Sequence, residues 1–119
     1  MEAVTLSPVD FDTLEQRALD IRDALARWEQ QQYGREWSLE ELALGLVGDI
    51  GDLAKLIQAH EGVRNADNVR ALLEHELSDV LWSVIVIAHR LRVDLPAAFL
   101  ETMDGIASAI DERQRPPGR

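Results

Sequence analysis

The stretch "HELSDVLWSVIVIAHRL", His75 to Leu91, decides the fold. Its β-branched run, Val84 to Ile87, would suit a strand. Yet it continues a long helical period with no turn signal on either side. With Glu76 as the reference and about 100° per residue, Val69, Leu72, Leu73, Val80 and Ile87 fall within roughly 60° of it. The segment therefore reads as one helix from Asp67, its expected N-cap, to about Leu91. It also carries an acid in the middle of its apolar stripe. Asp79 lies roughly 60° to one side, beside Leu72 and Val86.

Upstream, "GDIGDLAKLI", Gly48 to Ile57, repeats the pattern. Asp49 falls among Leu42, Leu46, Leu53 and Leu56, and Asp52 lies at the margin of that stripe. The helix begins at "WSLEEL", where Ser38 and Glu41 form a capping box and Trp37 and Leu42 suit a hydrophobic staple. It runs to about Glu61, with Gly62 past its end. An earlier helix is expected from Pro8 to Tyr33, with Ser7 as N-cap and Gly34 as stop. Phe11, Leu14, Ala18, Ile21, Leu25 and Trp28 form its apolar stripe, so Trp28 is expected in the core. A last helix, capped by Asp94, bears Leu95, Phe99, Met103, Ile106 and Ile110. No strand pattern, internal repeat or low-complexity segment is found. The expectation is an all-α four-helix bundle with short connections.

The chain has 119 residues, of which 46% are hydrophobic. That length suits one domain spanning 1–119, with 1–6 and 114–119 frayed. A small helical domain with stripes on four helices is expected to complete its core as a homodimer or homotetramer. There is no cysteine, hence no disulfide frame and no thiolate metal site. No apolar run approaches the roughly 20 residues that span a membrane. The acidic start "MEAVTLSPVDFD" lacks the basic and apolar regions of a signal peptide, so a cytoplasmic location is expected. The formal net charge of -10 repels bare nucleic acid and anionic lipid. It leaves room for a polyanionic ligand if cations stand between ligand and protein.

Two acid pairs, Asp49/Asp52 and Glu76/Asp79, thus sit at i,i+3 on separate helices, where side chains lie about 5–6 Å apart. Ionised carboxylates in apolar surroundings are costly unless compensated. An arginine partner, a shared proton or a divalent cation would each compensate them. Two facing helices with a pair each would make an oxygen cage for a hard cation. With no histidine or cysteine in the pattern, Mg2+ is expected, or Mn2+, rather than zinc. The ferritin-like alternative needs Glu-x-x-His on two helices. Ile57, Leu72 and Val86 stand three residues before His60, His75 and His89, so that motif is absent. None of the three histidines receives a catalytic role. His75 and His89 are expected to face solvent or a helix partner.

With "LVGDIGDLAKL" and "HELSDVLWSVIVIAHRLRVDL", the sequence resembles the MazG-like all-α nucleoside triphosphate pyrophosphohydrolases. The resemblance runs from about Trp37 to Phe99. That family carries E-x-x-E on one helix and E-x-x-D on the next, matched here by Asp49-x-x-Asp52 and Glu76-x-x-Asp79. It implies cleavage of a magnesium-bound (deoxy)nucleoside triphosphate between the α and β phosphates, in nucleotide-pool housekeeping. Asp49, Asp52, Glu76 and Asp79 are then the metal ligands, with Asp49 and Glu76 catalytic. Such chemistry needs charge neutralisation and in-line positioning more than covalent catalysis. Two departures matter. The aspartates are one methylene shorter than the family's glutamates, and Gly48 stands where many relatives have a further Glu.

Other residues have two readings. Lys55, the only lysine, can reach a phosphate, but its helical angle away from the acids suits a solvated side chain. Arg64 and Arg70 flank the loop between the acid-bearing helices and can meet the triphosphate or cap helix ends. Trp37 can stack a base, although the staple already explains it. Trp82 points away from Glu76, toward an interhelix or subunit contact. A phosphoribosyl-ATP pyrophosphohydrolase-like enzyme, or a weakened helical module that binds nucleotide or protein, are the alternative functions.

Overall fold

The computed structural model describes residues 3–62 and 68–118. Four helices make up the fold: α1 Phe11–Tyr33, α2 Leu39–His60, α3 Val69–Arg90 and α4 Leu95–Gln114. There is no strand among the described residues. The β-branched run of Val84 to Ile87 lies inside α3 because it is buried there: Ile85 and Val86 are among the most enclosed side chains. Packing of that face overrides a modest strand preference.

The helix ends follow local chemistry. Ser38 and Glu41 form the expected capping box, each side chain taking the other's backbone N–H. The Arg35 guanidinium donates to both Glu41 carboxylate oxygens, at 2.6 and 3.1 Å. That pairing, helped by the Ser38 N–H, draws the Glu41 carboxyl down to about 2. Its contribution to stability is present above the usual carboxylate range and is lost as pH falls toward that value. Asp94 caps α4 as expected, accepting from the Ala97 N–H. The start of α1 differs from expectation. Asp10, not Ser7, is the N-cap, accepting from both the Thr13 N–H and hydroxyl. An aspartate oxygen at the true cap outbids a serine placed three residues early. Gly34 closes α1 in the left-handed conformation, φ 73°. The expected Asp67 cap of α3 lies outside the described residues.

α2 and α3 pack along their length, and the short link between them makes them antiparallel. α1 lies against α3, tied by the Trp82 indole N–H donating to the Ala18 carbonyl at 3.1 Å. Trp82 is thus the interhelix contact its position suggested. The face that α1 buries overlaps its apolar stripe only in part. Ala18, Arg22 and Glu29 are buried, while Leu14, Ile21, Leu25 and Trp28 are exposed. Trp28 is 48% exposed and meets only the edge of Tyr33 among rings, so its placement in the core is corrected. Within one chain Ala18, Arg22 and Glu29 are enclosed, while Leu14, Ile21 and Leu25 line an open groove with Leu81, Trp82 and Ile85 of α3.

Arg22 and Glu29 lie two turns apart on one face and form a buried ion pair. Glu29 also accepts the Trp37 N–H at 2.8 Å, so the pair pins the α1–α2 connection. Arg22→Met would leave Glu29 buried without its cation. We expect a loss of about 3–5 kcal/mol, read from urea unfolding.

α4 buries no residue at all. Phe99, Leu100, Met103, Ile106 and Ile110 are all exposed. The radius of gyration is 18.7 Å, against about 13.5 Å for a compact chain of this length. The four helices are those expected, but one chain closes only α1, α2 and α3 around a thin core.

Candidate functional site

The site lies where α2 faces α3. Asp49 and Asp52, one turn apart on α2, bring one carboxylate oxygen each to within 4.8 Å of a Glu76 oxygen on α3 and of each other. A second group on α3 joins His75, Glu76 and Asp79 within the same distance. Glu76 belongs to both groups and joins them. The four acids read from the sequence are therefore brought together, despite the shorter aspartate side chains on α2. Asp49, Glu76 and Asp79 are half-buried and Asp52 is exposed, as its marginal angle on the stripe implied.

The crowding has an electrostatic signature. Burial first, then the charges of Asp79 and Asp52, push the Asp49 carboxyl above its ordinary range. Burial first, then Asp49, Asp79 and Asp52, do the same to Glu76. One Glu76 oxygen, Oε2, is enclosed with no hydrogen-bond donor. Among the described residues no arginine or lysine pairs with Asp49, Asp52 or Glu76. A hard divalent cation fits this donor set. It neutralises several carboxylates at once, accepts oxygen ligands, and would satisfy the orphan oxygen.

The raised carboxyls give a stability prediction. Ionising Asp49 is harder in the folded chain than in the unfolded one. The penalty is absent below the ordinary aspartate range and complete above the raised value, so metal-free stability falls as pH rises between them. At neutral pH, Asp49→Asn should raise the melting temperature of the metal-free protein by a few degrees. Mg2+ should then stabilise the wild type far more than the variant, as thermal melts in chelator and in excess metal would show.

The remaining candidates are placed as follows. Lys55 is exposed and belongs to neither group. Arg70 is exposed and pairs with Glu74 at 3.5 Å, on its own helix. Arg64 lies outside the described residues. Trp37 is 41% exposed, anchored through its backbone to Glu29 and, weakly, to Arg90. Its indole remains available to a ligand. At Gly48 an added Cβ would meet no atom within 4 Å, so the backbone there has room for an acid that the sequence does not supply. His75 is the residue that sequence reading passed over. Its Nε2 lies 3.1 Å from Asp79 Oδ2. The i,i+4 spacing to Asp79 is the signal in the sequence that puts the two side chains on one face.

No protein-family model matches the chain. Individual proteins do. Human dCTP pyrophosphatase 1 is 43% identical over 82 residues, covering 65% of this chain and 45% of that protein. The rat dCTP pyrophosphatase 1 is 38% identical over 113 residues, 87% of this chain and 64% of its own length. The bovine one is 40% identical over 82 residues, 65% and 46%. The chain therefore spans about half to just under two thirds of the curated relatives it matches. These identities make the chain a homologue of the dCTP pyrophosphatase 1 proteins, and with them its resemblance to the MazG-like all-α nucleoside triphosphate pyrophosphohydrolase family holds.

Proposed function

We propose that the protein hydrolyses deoxynucleoside triphosphates, dCTP among them, to the monophosphate and pyrophosphate, in nucleotide-pool housekeeping. The observation that carries this reading is the acid cluster shared through Glu76, with an enclosed oxygen that has no donor. The names of the homologues point to the same chemistry. Asp49, Asp52, Glu76 and Asp79 would hold Mg2+ or Mn2+. When bound, the cation supplies charge neutralisation at the phosphate oxygens and acidifies water.

The chain's own residues do the rest. A water attacks the α-phosphorus in line, the bond to the bridging oxygen breaks, and pyrophosphate leaves. Asp49 takes the water's proton. Glu76 orients the cluster from both sides. Trp37, exposed beside the start of α2, is the aromatic surface proposed for the base, and Arg70, exposed at the start of α3, is a cation proposed for the triphosphate. The net charge of -10 sets the protein against nucleic acid polymers while bridging cations admit a small triphosphate.

The assembly belongs to the same reading. Exposed apolar faces on α1 and α4, and a radius of gyration well above that of a compact chain, favour a homodimer or homotetramer over a monomer. No helix among the described residues is long and apolar enough to cross a membrane, which accords with the cytoplasmic location we propose.

The test is a panel of nucleoside triphosphates and phosphoribosyl-ATP, with Mg2+ or Mn2+ and chromatography of the products. We expect dCMP and pyrophosphate from dCTP. Phosphate release instead of pyrophosphate would overturn the bond assignment. Binding without turnover across the panel would make the protein a nucleotide-binding module.

A further inference from the structure

Resting on the cation reading above, we propose that His75 is itself a ligand of the bound cation, supplying a nitrogen to a group otherwise made of oxygens. The imidazole stands on α3 with its Nε2 3.1 Å from Asp79 Oδ2. Adjacent ligands of an octahedral ion at about 2.1 Å lie roughly 3.0 Å apart. The His75–Asp79 pair therefore already holds the edge spacing that an ion would need. Glu76 completes the group, with one ligand atom from each residue within 4.8 Å of the others. Ligands of one such ion lie at most about 4.2 Å apart, so a small side-chain rotation would close the group on an ion. His75 is exposed, so it can turn from its contact with Asp79 to an ion without disturbing the core.

The consequence is a choice of metal. An all-oxygen site suits Mg2+, whereas an imidazole ligand favours first-row transition ions, Mn2+ among those expected here. Because Glu76 also belongs to the group with Asp49 and Asp52, an ion at His75 is anchored on the same carboxylate that the inner acids use.

The experiment uses the full-length chain loaded with Mn2+, without and with a non-hydrolysable nucleoside triphosphate. Pulsed electron paramagnetic resonance reads nitrogen coupling to the ion, and calorimetry reads its affinity. We expect 14N coupling in the wild type and in His60→Gln. We expect it to vanish in His75→Gln, with Mn2+ affinity at least about tenfold weaker and Mg2+ affinity changed less. Mn2+ uptake without nitrogen coupling, or coupling unaffected by His75→Gln, would overturn the assignment of His75 while leaving the four acids as ligands. Absence of Mn2+ uptake under both conditions would overturn this assignment and the cation reading beneath it. Since His75 is a surface residue, circular dichroism of His75→Gln should match the wild type.

Discussion

Glu76→Gln is expected to lower turnover by about 10^3-fold and to abolish measurable binding of Mg2+ and Mn2+. Glu76 is the residue common to both ligand groups, so its loss weakens the site from both sides, unlike loss of Asp52 at the exposed margin. A cation supplies several kcal/mol of charge stabilisation in phosphoryl-type transfer, and about 4 kcal/mol corresponds to that fold-change. Glutamine keeps the shape of the side chain, so packing between α2 and α3 should survive. It also removes a charge that Asp49 and Asp79 repel and that burial disfavours. The metal-free variant should therefore melt at or above the wild-type temperature at neutral pH. Low activity together with retained or raised stability is the expected pattern. Pyrophosphate release, metal calorimetry and a thermal melt on the same preparation check it. A variant with wild-type turnover would remove Glu76 from the site.

Ile106→Asp is expected to convert the proposed homo-oligomer to monomers. Met103, Ile106 and Ile110 lie three and four residues apart on α4 and are 41%, 50% and 46% exposed in the single chain. Beside them, Phe99 and Leu100 line an apolar cavity of about 490 Å3 with Phe11, Leu81, Val84 and Leu95. Burial of an isoleucine is worth about 1.5–3 kcal/mol. A two-fold interface counts the change twice, once on each copy. The dissociation constant should then rise by about 10^2 to 10^4-fold, as sedimentation across a concentration series would show. If wild type and variant sediment alike as monomers, the second copy is not what covers α4.

Much of the site was legible because it depends on short-range geometry. The i,i+3 spacing of Asp49 and Asp52, and of Glu76 and Asp79, fixes each pair on one side of its helix, and the flanking leucines and valines fix which side. The capping box at Ser38 and the caps at Gly34 and Asp94 follow from local hydrogen bonding in the same way. His75 was not legible as part of the site. Its approach to Asp79 depends on a rotamer, and the pattern of residue types offered a carboxylate site complete without it. The inner face of α1 was legible only in part. Hydrophobic periodicity marks the side that meets α3, where Ala18 is buried and Leu14, Ile21 and Leu25 line a groove, but it gives no sign that Arg22 and Glu29 are enclosed there as a pair.

By itself, the sequence determined four helices, the caps at Gly34, Ser38 and Asp94, and the pairing of acids along two helices, because backbone hydrogen bonding and helical periodicity act over a few residues. Only the tertiary structure decided that α2 and α3 bring the two pairs together in two ligand groups that share one carboxylate. It also decided that Glu76 joins them, that His75 stands at their edge, and that α4 is left uncovered. Those outcomes depend on how whole faces meet across the chain, and the burial that sets them is a property of packing, not of any local run of residues.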